Sequence, residues 1–359
     1  MKLDLDLANR TVLIVGDARA ARHSIARATA AGASVHLASP TASVLDSRFT
    51  LVEWPRSNDG WYRLLDTIDL VVFVGVTPAI ASPIKKLCAE LRTWAMTEPA
   101  AALDAVGHVT LVGGGPGDEQ LLTVGAMTAL RSADIVYFDR LGPHDRLDEW
   151  SPGAEQVNVG KFPGHHAVPQ ADIERMVVAS ALAGKTVVRL KGGDPYVFGR
   201  GGEEVIACRA AGVPVTVISG VSSALAAPAI AGIPVTHREV SRTFTVVSGH
   251  APFSENELAH LVGLGGTIVV LMGVATLPQL CAGIARHGMA ADMPIAIIER
   301  AFTDSQRTTI ASVSTVVKRS SLAGIRSPAV IVIGEVVRLA HDADVEAVEL
   351  LQDAARMAR

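Results

Sequence analysis

The stretch Lys191-Gly192-Gly193-Asp194-Pro195-Tyr196-Val197-Phe198-Gly199-Arg200-Gly201-Gly202-Glu203-Glu204 follows directly on the β-branched run Thr186–Leu190. A glycine-dense loop at the carboxyl end of a strand is where a parallel α/β sheet receives its ligands. Without a Cβ the backbone comes close to a ligand and offers it amides and carbonyls. One Gly-Gly pair would mean no more than a tight strand-to-helix turn. Five glycines among fourteen residues, with acids and with Lys191 and Arg200 beside them, favour a binding loop. The spacing differs from the Gly-x-x-x-x-Gly-Lys-Ser/Thr of a phosphate-cradling loop.

Outward from this loop the same alternation recurs. Short β-branched runs stand at Thr11–Val15, Ser34–Ala38, Asp69–Gly75, His108–Val112, Ala133–Phe138, Lys185–Leu190, Val213–Ile218, Thr243–Ser248, Thr267–Met272, Pro294–Ile298 and Ala329–Gly334. Helical patterns lie between them, such as Glu119–Arg131 and Asp172–Gly184, and this predicts α/β layers. Fully apolar runs such as Val71–Val74 and Ile268–Met272 predict sheets covered on both faces and mostly parallel. A second glycine loop, Gly113-Gly114-Gly115-Pro116-Gly117-Asp118, follows the strand ending at Val112. Its proline and acid argue against a pyrophosphate fingerprint, because Asp118 would repel the anion at the helix terminus. A ligand with a cationic or neutral edge fits it better.

The chain has 359 residues, 49% of them hydrophobic and only 4% aromatic, so its cores must be aliphatic and its length suits two or three domains. Lys plus Arg number 32 and Asp plus Glu 36, a net charge of −4 that carries no footprint for nucleic acid. Cys88, Cys208 and Cys281 lie far apart, without the close pairs of a zinc site, and imply a reduced compartment. The opening Met1-Lys2-Leu3-Asp4-Leu5-Asp6 is acidic where a signal peptide is basic and then apolar, and no apolar run approaches the ~20 residues of a span. A cytoplasmic protein without membrane partners is the expectation. Linkers are predicted at Thr93–Val106 and near Thr236–Arg242, giving a domain over 1–102, another over 107–340 with subdomains of about 107–238 and 239–340, and a helical tail over 341–359.

The motifs Leu-Val-Gly-Gly-Gly-Pro-Gly-Asp (111–118), Val-Tyr-Phe-Asp-Arg-Leu (136–141), Val-Gly-Lys (159–161) with Gly164, His166, Pro169 and Gln170, Val-Val-Arg-Leu-Lys-Gly-Gly-Asp-Pro (187–195) and Gly-Ile-Pro-Val-Thr-His-Arg (232–238) closely resemble uroporphyrinogen-III C-methyltransferases of the tetrapyrrole methylase family. The resemblance runs from about Gly107 to about Leu339. It implies two α/β subdomains with the active site in the cleft between them and S-adenosylmethionine as cofactor, S-adenosylhomocysteine as product and no metal. It further implies methylation of uroporphyrinogen III at two pyrrole carbons, by way of precorrin-1 to precorrin-2, for sirohaem or cobalamin biosynthesis, by a homodimer.

Carried over position by position, the resemblance makes Asp139 the proton acceptor and Lys161 the proton donor. By themselves these read as a helix cap or partner of Arg140 and as a solvated amine. Cofactor contacts fall on Pro116, Gly192, Gly193, Asp194, Val197, Ser222, Ser223, Met272 and Ala301. Ser222 stands where threonine is usual and Ala301 where glycine is. The implied substrate is a polyanion, so cations must gather locally. Arg140, His166, Lys191, Arg200, His237, Arg238 and His250 are the expected substrate contacts, with Arg189 and Arg242 nearby, and bidentate arginines suit carboxylates best. Phe162 replaces a common arginine.

Fused members of the family carry an N-terminal domain of precorrin-2 dehydrogenase and ferrochelatase. Val12–Gly16 with Gly32–Val35 looks like its opening strand and turn, a Rossmann-like βαβ unit. The fingerprint is broken: Gly16-Asp17-Ala18-Arg19-Ala20-Ala21-Arg22 has one glycine where three relieve crowding, and Asp17 opposes a pyrophosphate. A degenerate domain that does not use NAD is expected, against the alternative of a bifunctional enzyme with divergent NAD contacts. Methylation of a later corrin intermediate, or a tetrapyrrole carrier without catalysis, are the other readings of the methylase part.

Overall fold

Aliphatic runs buried on both faces organise the chain into three five-stranded sheets. The computed structural model describes residues 5–18, 20–39, 49–98, 100, 106–139, 142–151, 154–160 and 168–340. The first sheet holds β1 (Thr11–Gly16), β2 (Ser34–Ala38), β3 (Thr50–Val52), β4 (Leu70–Val74) and β5 (Trp94–Glu98), in the order β3-β2-β1-β4-β5. All its pairings are parallel. Helices α1 (Arg22–Ala30), α2 (Asn58–Leu65) and α3 (Pro78–Leu91) cover it. The period of two in a strand assigns each face. Leu13, Val15, Val71 and Phe73 pack with Trp61, Leu65, Ile84 and Leu87 of α2 and α3, whereas Val12, Ile14, Val72 and Val74 pack with Ile25 and Ala28 of α1.

The second sheet comprises β6 (His108–Gly113), β7 (Ile135–Phe138), β8 (Glu155–Asn158), β9 (Thr186–Lys191) and β10 (Val215–Ile218), ordered β10-β6-β9-β7-β8. It too is parallel throughout. Its helices are α4 (Val124–Arg131), α5 (Leu147–Trp150), α6 (Gln170–Leu182) and α7 (Gly201–Ala210). After β10 comes α8 (Ser223–Ile230), which leaves its own sheet. Ala224 and Ala227 of α8, with Ala231 and Ile233 beyond it, pack against Val269, Leu271, Ala296, Ile298, Val330 and Val332 of the third sheet.

That third sheet contains β11 (Phe244–Ser248), β12 (Thr267–Leu271), β13 (Pro294–Glu299), β14 (Arg307–Ser312) and β15 (Ala329–Ile333), ordered β11-β12-β15-β13-β14, with α9 (Glu255–Leu264), α10 (Leu277–Arg286) and α11 (Val316–Ala323). The expectation of mostly parallel sheets holds for the first two sheets and fails in this one. β15 runs antiparallel to both β12 and β13, and β14 antiparallel to β13. α9 starts in a capping box, in which the Glu257 amide donates to Ser254 Oγ (3.3 Å) and the Ser254 amide to Glu257 Oε2 (2.7 Å).

Two further readings change. The predicted linker from Thr93 contains β5, paired along Leu70–Val74. The helix expected over Glu119–Arg131 is a single turn, Glu119–Leu121, and then α4, because Thr123 turns extended and caps α4 by accepting the Ala126 amide at 3.1 Å. The tail over 341–359 and residues 101–105 lie outside the described residues. Among the described residues no helix is long and apolar enough to cross a membrane. All three cysteines are free and buried, and burial pushes the Cys281 thiol up to about 11.

Because α8 presents alanines to a sheet already filled by Val and Ile, Ala227→Leu should destabilise the protein by about 1–3 kcal/mol through overpacking. Urea unfolding checks this, and an unchanged midpoint would show that the helix does not seat closely.

Candidate functional site

In an all-parallel sheet every strand delivers its loop to the same edge, so the loops after β6, β7, β9 and β10 must converge at the carboxyl edge of the second sheet. The glycines of three of these loops touch. A Cβ on Gly113 would lie 2.3 Å from the Gly220 nitrogen and 2.7 Å from the Gly193 oxygen, and one on Gly220 only 2.3 Å from that oxygen. Gly193, at φ +64°, donates its amide to the Gly115 carbonyl at 2.7 Å, and Gly115 returns the bond at 3.2 Å. Asp194 locks the arrangement: its carboxylate accepts the Tyr196 amide (2.8 Å) and the Gly220 amide (3.2 Å). A cradle of bare backbone results, with Pro116, Gly192, Gly193, Asp194, Ser222 and Ser223 partly open along it. Ser222 Oγ caps α8 by accepting the Ala224 amide at 3.2 Å.

Beyond Asp194 the chain turns about Pro195, whose carbonyl accepts the Gly201 amide at 2.9 Å. Side chains on Gly199 or Gly201 would meet that carbonyl at 2.7 and 2.6 Å, which explains the Pro-to-Gly spacing. The turn holds Phe198 and Arg200 at φ +54° and +58° and leaves Val197 exposed. Across the third sheet β11, β12 and β13 share one direction. Their carboxyl edge therefore carries His250, then Met272 (φ +57°, 47% exposed), then Ala301 between Arg300 (φ +46°) and Phe302 (φ +64°). Five of the seven non-glycine residues at positive φ among the described residues thus sit on expected binding loops. Strain of this kind, about 1–3 kcal/mol each, persists where surrounding structure imposes it.

Asp139 directly follows β7, its side chain 24% exposed, and Arg189 Nη2 donates to its Oδ2 at 3.2 Å. Behind it lies a buried charge network that sequence reading did not find. Arg189 Nε donates to Glu204 Oε1 at 3.3 Å, Lys191 Nζ at 2.9 Å and Gln170 Nε2 at 3.1 Å. Arg189, Lys191 and Glu204 are 3%, 4% and 1% exposed. Burial, with the Arg189 charge adding to it, lowers the Lys191 pKa against the pull of Glu204. Lys191 was expected at the substrate, and that placement is corrected: alternation along β9 turns Arg189 and Lys191 to the same side of the strand, onto Glu204 of α7. The signal lay in the i, i+2 cations of a run otherwise apolar.

The remaining expected cations divide. Arg200 is exposed and paired with Glu203, Nε to Oε1 at 2.9 Å. His237 and Arg238 lie in a turn closed by mutual backbone bonds of His237 and Ser241, at 2.9 Å each. Ser241 accepts from Thr267 Oγ1 at the start of β12, so this turn is at the amino edge of the third sheet, away from Met272 and Ala301. Arg140, Lys161 and His166 lie outside the described residues. Among the described residues no group of three or more His, Cys, Asp and Glu side chains is placed to hold a metal ion.

With this geometry in view, the comparisons decide the family. Residues 108–317 match the model of the Tetrapyrrole (Corrin/Porphyrin) Methylases, more than half the chain. The chain belongs to the tetrapyrrole methylases. It is 44% identical over 240 residues to the S-adenosyl-L-methionine-dependent uroporphyrinogen III methyltransferase of Methanosarcina barkeri, covering 66% of this chain and 94% of that relative. The crystal structure of uroporphyrin-III C-methyl transferase from Thermus thermophilus complexed with S-adenyl homocysteine matches at TM-score 0.56 and 39% identity, over 65% of this chain and all (100%) of that one. The siroheme synthase of Azotobacter vinelandii is 41% identical over 67% of this chain, which spans 52% of that longer relative. Residues 3–103 match a second model, described as Putative NAD(P)-binding.

For this methylase the cradle predicts a sharp contrast between glycines. Gly220→Ala must displace backbone and should lower the melting temperature by roughly 2 °C or more, as a loss above about 1 kcal/mol does in a domain of this size. Gly202→Ala, which has nothing within 4 Å, should be neutral or stabilising. Equal melting temperatures for the two variants would refute the close approach.

Proposed function

We propose that this tetrapyrrole methylase transfers methyl groups from S-adenosylmethionine to two pyrrole carbons of uroporphyrinogen III, giving precorrin-2 by way of precorrin-1. The observation that carries this is the cradle of Gly113, Gly193 and Gly220 beside Asp139, on a chain 44% identical to a named uroporphyrinogen III methyltransferase over 94% of its length. The cradle fits the cofactor. Its walls are backbone and small side chains, and the Asp194 carboxylate is held by one amide of its own loop and one of the loop after β10. Pro116, Gly192, Gly193, Asp194, Val197, Ser222, Ser223, Met272 and Ala301 would hold the cofactor, which supplies an electrophilic sulfonium methyl when bound. Contacts through backbone tolerate serine at 222 and alanine at 301.

The protein's share is then alignment and proton management. Asp139 Oδ1 and Oδ2 are the proton-accepting atoms, and the Arg189 guanidinium fixes their direction. Lys161 keeps the donor role that the family resemblance implies. Arg200 and His250, exposed on loops at the carboxyl edges, suit the substrate's carboxylates, with Arg140 and His166 joining them; Lys191, His237 and Arg238 are set aside. The three sheets support a division into an N-terminal Rossmann-like unit over 1–102 and a methylase over 107–340 with its active site between subdomains. A homodimer in the cytoplasm, feeding sirohaem or cobalamin synthesis, completes the reading, and no NAD-dependent step is assigned to the N-terminal unit.

Purified protein given S-adenosylmethionine and uroporphyrinogen III should release S-adenosylhomocysteine and precorrin-2. Asp139→Asn should lower kcat by about 10²-fold or more while leaving S-adenosylhomocysteine affinity unchanged by calorimetry. A protein that binds the cofactor yet transfers no methyl to this substrate would sink the assignment. Turnover of a later corrin instead would move it along the pathway.

A further inference from the structure

A Rossmann-like unit receives a dinucleotide's phosphates at the carboxyl end of its first strand, on the amides that open the next helix. Here that place is otherwise committed. β1 ends at Gly16, and Asp17 Oδ1 accepts the Ala20 amide at 3.1 Å while the Asp17 carbonyl accepts the Ala21 amide at 2.9 Å. A carboxylate therefore stands where a phosphate would, and Ala20 and Ala21 are buried behind it. The residues that open α1, Arg22 and His23, both reach out of the unit to Asp134. Arg22 Nε donates to Asp134 Oδ1, and His23 Nε2 is 3.2 Å from the same oxygen. The other oxygen of Asp134 accepts the Thr186 amide at 2.7 Å. The site is well shielded, with side-chain exposures of 16% for Arg22 and 12% for Asp134. Farther along α1, Ser24 and Arg27 donate to Glu98 at the end of β5, which ties the helix to its own sheet.

The direction of the second sheet says which part of the methylase is gripped. Asp134 precedes β7 and Thr186 opens β9, so both stand at the amino edge. The glycine cradle and Asp139 stand at the opposite edge, ~13–20 Å away for strands of this length.

We propose that the phosphate-binding end of the N-terminal unit has become a docking surface for the methylase part of the same chain, gripping Asp134 through Arg22 and His23 on the side opposite the cleft. This deepens the reading that the unit has no NAD-dependent step, and its geometry holds whichever tetrapyrrole is methylated. Burial favours a protonated Asp134, but hydrogen bonds from His23, Arg22 and the Thr186 amide outweigh it and lower the pKa to about 2. A folded value below the free ~3.9 means that Asp134's ionisation contributes stability that is fully present above about pH 4 and lost as pH falls toward 2.

The test uses the full chain. Trp54, Trp61 and Trp94 lie in the N-terminal unit and Trp150 in α5 against the second sheet, so tryptophan emission follows chiefly the N-terminal unit. Arg22→Ala and Asp134→Asn should each lower the emission-detected melting temperature, and the double variant should fall no further than the worse single. Asn retains an acceptor for the Thr186 amide, and Arg22→Ala leaves the methylase untouched. Neither NAD nor NADP at ~1 mM should give heat of binding to the wild-type chain. Additive shifts would overturn the grip even if the unit proves inert toward dinucleotides. Micromolar dinucleotide binding by the wild type would overturn the loss of the phosphate site, whatever the methylase does.

Discussion

Gly113 and Gly220 meet each other and the Gly193 carbonyl so closely that neither could carry a Cβ, and the rest of the cleft depends on that contact. It brings the exits of β6, β9 and β10 together and leaves amides and carbonyls as the lining. Asp194 then has its partners set for it, because the Gly220 amide is within reach only when the loops touch. Pro195 and the glycines around it pass the constraint to Phe198 and Arg200, whose strained backbones follow from the turn. A site made in this way draws its shape from strand spacing more than from side-chain identity.

The charged groups under the cleft obey a different constraint. Arg189, Lys191 and Glu204 are almost wholly buried, and a buried ion costs several kcal/mol unless it is paired and hydrogen-bonded. Arg189 pairs with Glu204 Oε1, with Asp139 and with the Leu190 carbonyl at once, the last at 2.8 Å, while the buried Glu204 Oε2 has no hydrogen-bond partner among the described residues. The planar guanidinium is suited to such sharing, whereas an ammonium has no comparable fork. Rigidity of Asp139 is thereby inherited from the interior of the second sheet.

What the sequence disclosed follows from how strands signal themselves. The central strands, buried on both faces, are apolar runs and were legible: β1, β4, β6, β9, β12, β13 and β15 all fall where the β-branched runs stand. The strands that escaped are β3, β5, β8 and β14, each at the edge of its sheet. An edge strand pairs on one side and faces water, so polar stretches such as Glu155–Asn158 and Arg307–Ser312 suffice. Strand direction in the third sheet was illegible too, because an interior β15 is equally apolar whichever way it runs. At the site, the glycine loops were readable because their chemistry is the absence of a side chain. The placement of Lys191 was illegible because position in a motif does not say which face of β9 a residue takes, and that of His237 and Arg238 because membership of a motif does not say which edge of a sheet a turn joins.

One consequence of α8 reaches beyond packing. Its amino end, at Ser222 and Ser223, belongs to the cradle of the second sheet, while its alanine face is embedded in the third. The helix is thus a lever with its tip in one layer and its fulcrum in the other. Any ligand that fixes the tip restricts the angle between the layers, and anything that sets that angle alters the tip by the same free energy, since such linkage is reciprocal. The seat of the helix tip and the relative attitude of the two layers are in this sense linked.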